Sequence, residues 1–164
     1  MKRTPNRLVV ALAIAAVVAA VGAGVALATP GSGVTTTPIA AGNLGPVNVN
    51  IKTGEWKLDL RTKGDTDASV VENRVAPGGA FGWHSHPGPS LIIVKSGTLT
   101  FYRGDDPTCT PQVYQAGDAF VDAGEDVHMG RNEGTVDAVV ITVRLIPHGA
   151  APRIDQPAPG NCAF

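Results

Sequence analysis

Apolar and polar residues alternate over short stretches of the chain, as in Val47-Asn48-Val49-Asn50-Ile51-Lys52 and Trp56-Lys57-Leu58-Asp59-Leu60-Arg61. A period of two sends successive side chains to opposite faces of an extended backbone, so each stretch predicts a strand. Further segments of alternating or β-branched character run over 68–75, 91–95, 98–103, 112–115, 119–122, 126–131 and 138–146. Turn-forming clusters separate them, among them Pro77-Gly78-Gly79, Pro87-Gly88-Pro89, Ser96-Gly97, Ala116-Gly117-Asp118 and Gly124-Glu125. None of these segments carries a helical period of useful length. Many short strands without intervening helices predict an all-β single domain, a sandwich or barrel, rather than βαβ units.

The flanks follow different patterns. Lys2, Arg3 and Arg7 precede an apolar run from Leu8 to Ala28 that ends in Ala26-Leu27-Ala28. A positive start, an apolar stretch and a small-x-small end predict a signal peptide over 1–28, cleaved before Thr29. The run is also about long enough to span a bilayer, at ~20 residues, so an uncleaved N-terminal membrane anchor is the competing expectation. Residues 29–46 are rich in Thr, Pro, Gly and Ala without a sustained period and predict a flexible linker. The domain proper is then 47–164, and its tail after Pro147, with Pro152, Pro157 and Pro159, is expected to lie extended over the barrel.

Composition suits a packed core: 43% of the 164 residues are hydrophobic and 16% charged. Three of the 13 basic residues lie in the leader, so the remainder is outnumbered by the 14 acidic ones. A scattered acidic balance of this kind excludes the basic footprint of a nucleic-acid partner. The only cysteines, Cys109 and Cys162, predict a disulfide in an exported chain, with two unpaired thiols as the alternative. Such a bond would tie a mid-chain loop to the tail.

Chemistry concentrates in the histidines. His84 and His86 are two apart, which puts both imidazoles on one face of a strand, where they can share a metal ion. A third ligand must come from another strand, and His128 on the 126–131 segment can supply it. The competing expectation is a pocket in which the histidines only form hydrogen bonds. His148, beyond the last strand, is read as a surface residue.

The glycines around these histidines sharpen the reading. Gly78, His84, His86 and Gly97 stand in the order Gly-x5-His-x-His-x10-Gly, and Gly117, His128 and Asn132 in the order Gly-x10-His-x3-Asn. Over about 66–146 the chain resembles the cupin superfamily, whose two motifs have these lengths. The resemblance implies a single-domain jelly-roll β-barrel, metal ligands at His84, His86 and His128, and pairing of barrels as a homodimer. With its leader and its Pro159-Gly160-Asn161-Cys162 tail, the chain looks like the small exported cupins of high-GC bacteria.

Departures from the motifs carry as much weight. Ser90 stands where the family has a glutamate ligand, and Ala123 and Glu125 stand where the second motif has Pro and Gly. A neutral hydroxyl is a poor donor to a metal, so the expected site consists of three histidines alone. That leaves one divalent ion (zinc, manganese, iron, copper or nickel) with open positions and uncompensated charge, favouring an anionic or chelating small molecule. Glu72, Glu125 and Asp126 are the acids nearest in sequence, and spacing selects none of them as a substitute carboxylate or general base. Ile92 and Val94 follow Ser90 on the same strand face, as ordinary barrel core or as an apolar pocket floor, and Asn132 either orients a ligand or caps a turn. Trp83, and Phe101 or Tyr102, are expected to pack between the sheets rather than stack on a substrate. Two functions fit: a metal-dependent oxygenase or related oxidoreductase, and a non-catalytic cell-envelope module that binds a metal or ligand.

Overall fold

The computed structural model describes residues 28–164. The leader and anchor expectations for 1–27 lie outside the described residues. Those described form twelve strands and no helix, so none is long and apolar enough to cross a membrane. The strands are β1 (Ser32–Asn43), β2 (Asn48–Thr53), β3 (Trp56–Arg61), β4 (Thr66–Ala80), β5 (His84–Ser85), β6 (Ser90–Ser96), β7 (Thr98–Arg103), β8 (Gln112–Gln115), β9 (Ala119–Asp122), β10 (His128–Arg131), β11 (Ala138–Pro147) and β12 (Ile154–Asp155).

All but β2 and β3, which form a separate hairpin, join one antiparallel sheet that curls into a nearly closed barrel. β1, β4, β11, β6 and β9 pair in that order, as do β12, β5, β10, β7 and β8. The two halves meet where Ala80 at the end of β4 pairs with Arg131 of β10. β4 crosses Pro77-Gly78-Gly79 instead of stopping there, because 76–79 loop out between the Ser32–Ala80 and Val34–Val75 pairs. Gly78, at φ +75°, supplies the left-handed turn of that bulge.

The linker expectation for 29–46 is corrected by β1, which pairs with β4 along Ser32 to Asn43. Nearly every residue of β1 is exposed, so no alternation betrays it, and backbone ladder bonds rather than side-chain burial hold it. Pro38, which cannot donate to a ladder, is tolerated on this edge strand and coincides with a register shift between Pro38 and Ala40. Just before β1, Thr29 accepts the backbone N–H of Trp83 at its Oγ1 and donates its own N–H to Gln156 O.

Two apolar clusters fill the fold. Val75, Ile92, Val94, Leu99, Ala138 and Val140 close the barrel interior, and Trp83, Tyr102 and Met129 pack outside it beneath the tail. The tail is extended as expected: β12 pairs with β5, and Cys109 and Cys162 form a disulfide. That bond suits an oxidising environment. The site lies between the clusters, at the end of the barrel where β5 and β10 meet.

Candidate metal centre

His84 opens β5, His86 follows in the next turn, and His128 opens β10 directly across the ladder from His84. Facing residues of an antiparallel pair share a face, so two of the three imidazoles meet by register alone. Ring centroids are 4.8 Å apart for His84 and His86, 4.4 Å for His84 and His128, and 5.1 Å for His86 and His128. One potential ligand atom from each lies within 4.8 Å of the others, and all three residues are buried.

Backbone partners decide which nitrogen is available. Nδ1 of His84 lies 2.8 Å from Gly82 O, that of His86 2.6 Å from Pro152 O, and that of His128 2.8 Å from Asp126 O. A carbonyl oxygen only accepts, so each Nδ1 carries the proton and each Nε2 keeps its lone pair. Burial pushes the pKa of His84 down to about 2, aided by His128 and Arg153. Burial also takes His86 down to about 4, although the Pro152 carbonyl opposes it. His128 is lowered by burial against the pull of Asp122. Neutral imidazoles anchored through Nδ1 are in the protonation state that a divalent ion needs.

Asp122, at the end of β9, is the carboxylate that reaches this cluster. Its Oδ2 lies 3.2 Å from Nε2 of His128 and 3.4 Å from Nε2 of His86. With both imidazoles neutral, these are acceptors facing acceptors rather than ion pairs. Oδ2 is buried and has no hydrogen-bond partner among the described residues, while Oδ1 accepts the N–H of Gly124 at 2.9 Å. An unsatisfied buried polar atom costs about 1–3 kcal/mol, and a cation between Oδ2 and the Nε2 atoms would remove that cost. The donor set therefore fits a divalent metal: the three histidines form the group able to hold it, and Asp122 stands beside two of them. Glu72 and Asp126 instead form exposed pairs with Lys95 and Arg103, and Glu125 is exposed.

Strand pairing explains how Asp122 gets there. β9 places it directly opposite Ser90, the position of the missing glutamate. The turn after it is pressed against the turn after His86, whose N–H donates to Gly124 O at 2.7 Å. A Cβ on Gly124 would lie 2.4 Å from Gly88 O, and its φ is +109°, so glycine alone permits this approach. No motif position signalled Asp122, because β6 and β9 are far apart in sequence and their register appears only when the barrel closes.

A cavity of about 50 Å³ adjoins the cluster, walled by Ser90, Ile92, Phe101, Phe120 and Arg144 among others. Phe101 stacks on His128 with 5.1 Å between centroids, so it lines the site rather than packing between the sheets; Trp83 and Tyr102 do pack in the outer cluster. Val94 belongs to the barrel core, and Asn132 clamps a turn, donating to Val75 O and Val136 O and accepting from Gly134 N. Neither lines this cavity, whereas Ile92 does. His148 is exposed and hydrogen-bonded to Asp67 at 2.8 Å.

Residues 71–144 match the family described as Cupin domain. The match supports the cupin superfamily for this barrel. A cupin-2 domain from Rhodospirillum rubrum is similar in fold, at 12% identity over 77% of this chain and 68% of that one, with a TM-score of 0.52. A Klebsiella pneumoniae protein with a double-stranded beta-helix domain is 21% identical over 69% of this chain and 86% of its own, with a TM-score of 0.46. An oxalate decarboxylase from Lactobacillus farciminis, in complex with formate, is 21% identical over 54% of this chain and 26% of its own, with a TM-score of 0.47. No curated protein matches the sequence.

Proposed function

We propose that this chain is an exported cupin that holds one divalent metal through Nε2 of His84, His86 and His128, with Asp122 supplying a carboxylate. The observation that carries this reading is the commitment of all three Nδ1 atoms to backbone carbonyls, which turns three lone pairs inward upon one another. Nitrogen donors with a carboxylate suit zinc, manganese, iron, copper or nickel. When bound, such an ion supplies Lewis-acid or redox chemistry.

The reaction class proposed is an oxygenase or related oxidoreductase acting on a small molecule. Ile92, Phe101 and Phe120 give the cavity an apolar wall, which would keep bulk water from a reacting centre. A non-catalytic binding module is the second reading. It is favoured by one observation: among the residues lining this cavity, the only carboxylate is Asp122, which the proposed ligand set already uses. The disulfide and the leader-like sequence over 1–28 support export.

Elemental analysis of the full chain before and after chelation tests the metal, which should co-purify near one equivalent. Restoring it should raise the melting temperature, since ligand at 100 times Kd adds about 2.7 kcal/mol. No bound metal, together with a melting temperature indifferent to each of the five ions, would overturn the reading. Oxygen uptake by the loaded protein with 2-oxo and 2-hydroxy acids separates the enzyme from the binding module.

A further inference from the structure

A second set of unpaired groups stands beside the histidines. Arg144 on β11 pairs in register with Ser90 on β6, and Ser90 pairs with Asp122 on β9. Directly opposed residues share a face, so the three form one row, and all three line the cavity that the histidines line. Arg144 and Ser90 each contribute a buried atom without a hydrogen-bond partner among the described residues, Nε and Oγ, beside the unpaired Oδ2 of Asp122 already assigned to the cation. Buried polar atoms are nearly always paired, and a concentration of exceptions at one cavity marks the place of an absent partner.

Arg144 sets the chemistry of that partner. Burial works against its charge and lowers its pKa, and it makes no salt bridge to a carboxylate among the described residues. It also faces the larger space of about 370 Å³ at the barrel mouth, together with Arg153 and Asn73. Arg153 gives its Nε–H to Asp155, whereas Arg144 has no carboxylate partner among the described residues and an unpaired buried Nε. A guanidinium presents a planar fork of donors that matches the two oxygens of a carboxylate.

We propose that Arg144, with the Ser90 hydroxyl beside it, anchors the carboxylate of a small 2-hydroxy or 2-oxo acid whose second oxygen faces the three Nε2 atoms. The facing of that second oxygen rests on the metal reading; the carboxylate anchor does not. The inner cavity has room for about four waters, since each takes roughly 10–15 Å³ on this measure. Acids of two or three carbons fit there, and a longer substituent extends into the mouth.

The test is calorimetric titration of the full chain, metal-loaded and stripped, with glycolate, with uncharged glycolamide and with inorganic phosphate. On the loaded protein glycolate should bind at least tenfold more tightly than either of the others. Arg144→Gln should weaken glycolate at least tenfold without changing metal content, and Arg144→Lys, which keeps the charge but loses the fork, should fall between. Should Arg144→Gln not fold, as judged by near-ultraviolet circular dichroism, the wild-type ligand comparison and Arg144→Lys decide. Equal affinity for glycolate and glycolamide, tighter phosphate binding, or glycolate affinity unchanged in Arg144→Lys and Arg144→Gln would each overturn the anchor. A chain that holds no metal but binds glycolate through Arg144 upholds the anchor and sinks the metal reading. A loaded chain indifferent to the carboxylate does the reverse.

Discussion

Asp122 stands directly opposite Ser90 across the β6–β9 ladder, so the carboxylate absent from position 90 is offered to the same histidines from the neighbouring strand. Asp122→Asn should keep the fold and weaken metal binding by about 10- to 100-fold, the range seen when groups supporting a metal site are removed. The double substitution Ser90→Glu with Asp122→Ser moves the carboxylate back across the ladder and should recover most of that loss. Competition with a coloured chelator measures both. Unchanged affinity in Asp122→Asn would remove Asp122 from the ligand set.

Gly124 carries the close approach that positions this carboxylate. Gly124→Ala places a methyl group against Gly88 O at a φ of +109°. The expected cost is roughly 1–3 kcal/mol of backbone strain, with overpacking of the two turns in addition. Urea denaturation measures the stability, and metal affinity should fall with it because Gly124 N–H holds Asp122 Oδ1 and Gly124 O holds His86 N. A Gly124→Ala protein as stable as wild type would show that the turns can part without cost.

The disulfide closes a 53-residue separation between Cys109 and Cys162. The chain-entropy model allows such a link about 4 kcal/mol. Replacing both cysteines by serine should lower the urea midpoint accordingly. Metal affinity should fall less than in Asp122→Asn, because β12 still holds the tail whose Pro152 O orients His86. Equal stability with and without the bond would show that packing of the tail suffices.

The exposed pair of Asp67 and His148 should give stability a pH window. Backbone and His148 hydrogen bonds hold the Asp67 carboxyl below its ordinary value, so its contribution is present above that value and is lost as pH falls through the lowered one. Asp67 raises the His148 pKa, so the imidazolium contribution is full below its ordinary value and is lost as pH rises through the raised one. The two overlap between roughly pH 4 and 6.5. The stability gap between wild type and Asp67→Asn should be widest there and narrow on either side, the hydrogen bond from Gly149 N–H preserving part of it at high pH. A gap independent of pH would exclude the coupling.

Strand periodicity made most of the barrel legible. The alternating run over 91–95 becomes β6, which buries every second side chain, while the apolar and β-branched runs over 98–103 and 138–146 become β7 and most of β11, buried on both faces along much of their length. β1 was not legible, since a strand held by its backbone on an exposed edge leaves no mark in side-chain pattern. Which of Phe101 and Tyr102 packs between the sheets was not legible either, because alternation states which face a residue takes and not what it meets there. In the structure Phe101 meets His128 and Tyr102 packs in the outer cluster.

The sequence by itself determined the all-β class and the three histidines, because side-chain alternation and residue spacing are local properties of the chain. The tertiary structure alone decided which nitrogen each imidazole presents, which carboxylate stands beside them and which guanidinium faces their cavity. Gly82 O and Asp126 O are near their histidines in sequence, but Pro152 O comes from the tail, and Arg144, Ser90 and Asp122 come from three strands. Their register is set by closure of the barrel, and no spacing along the chain encodes it.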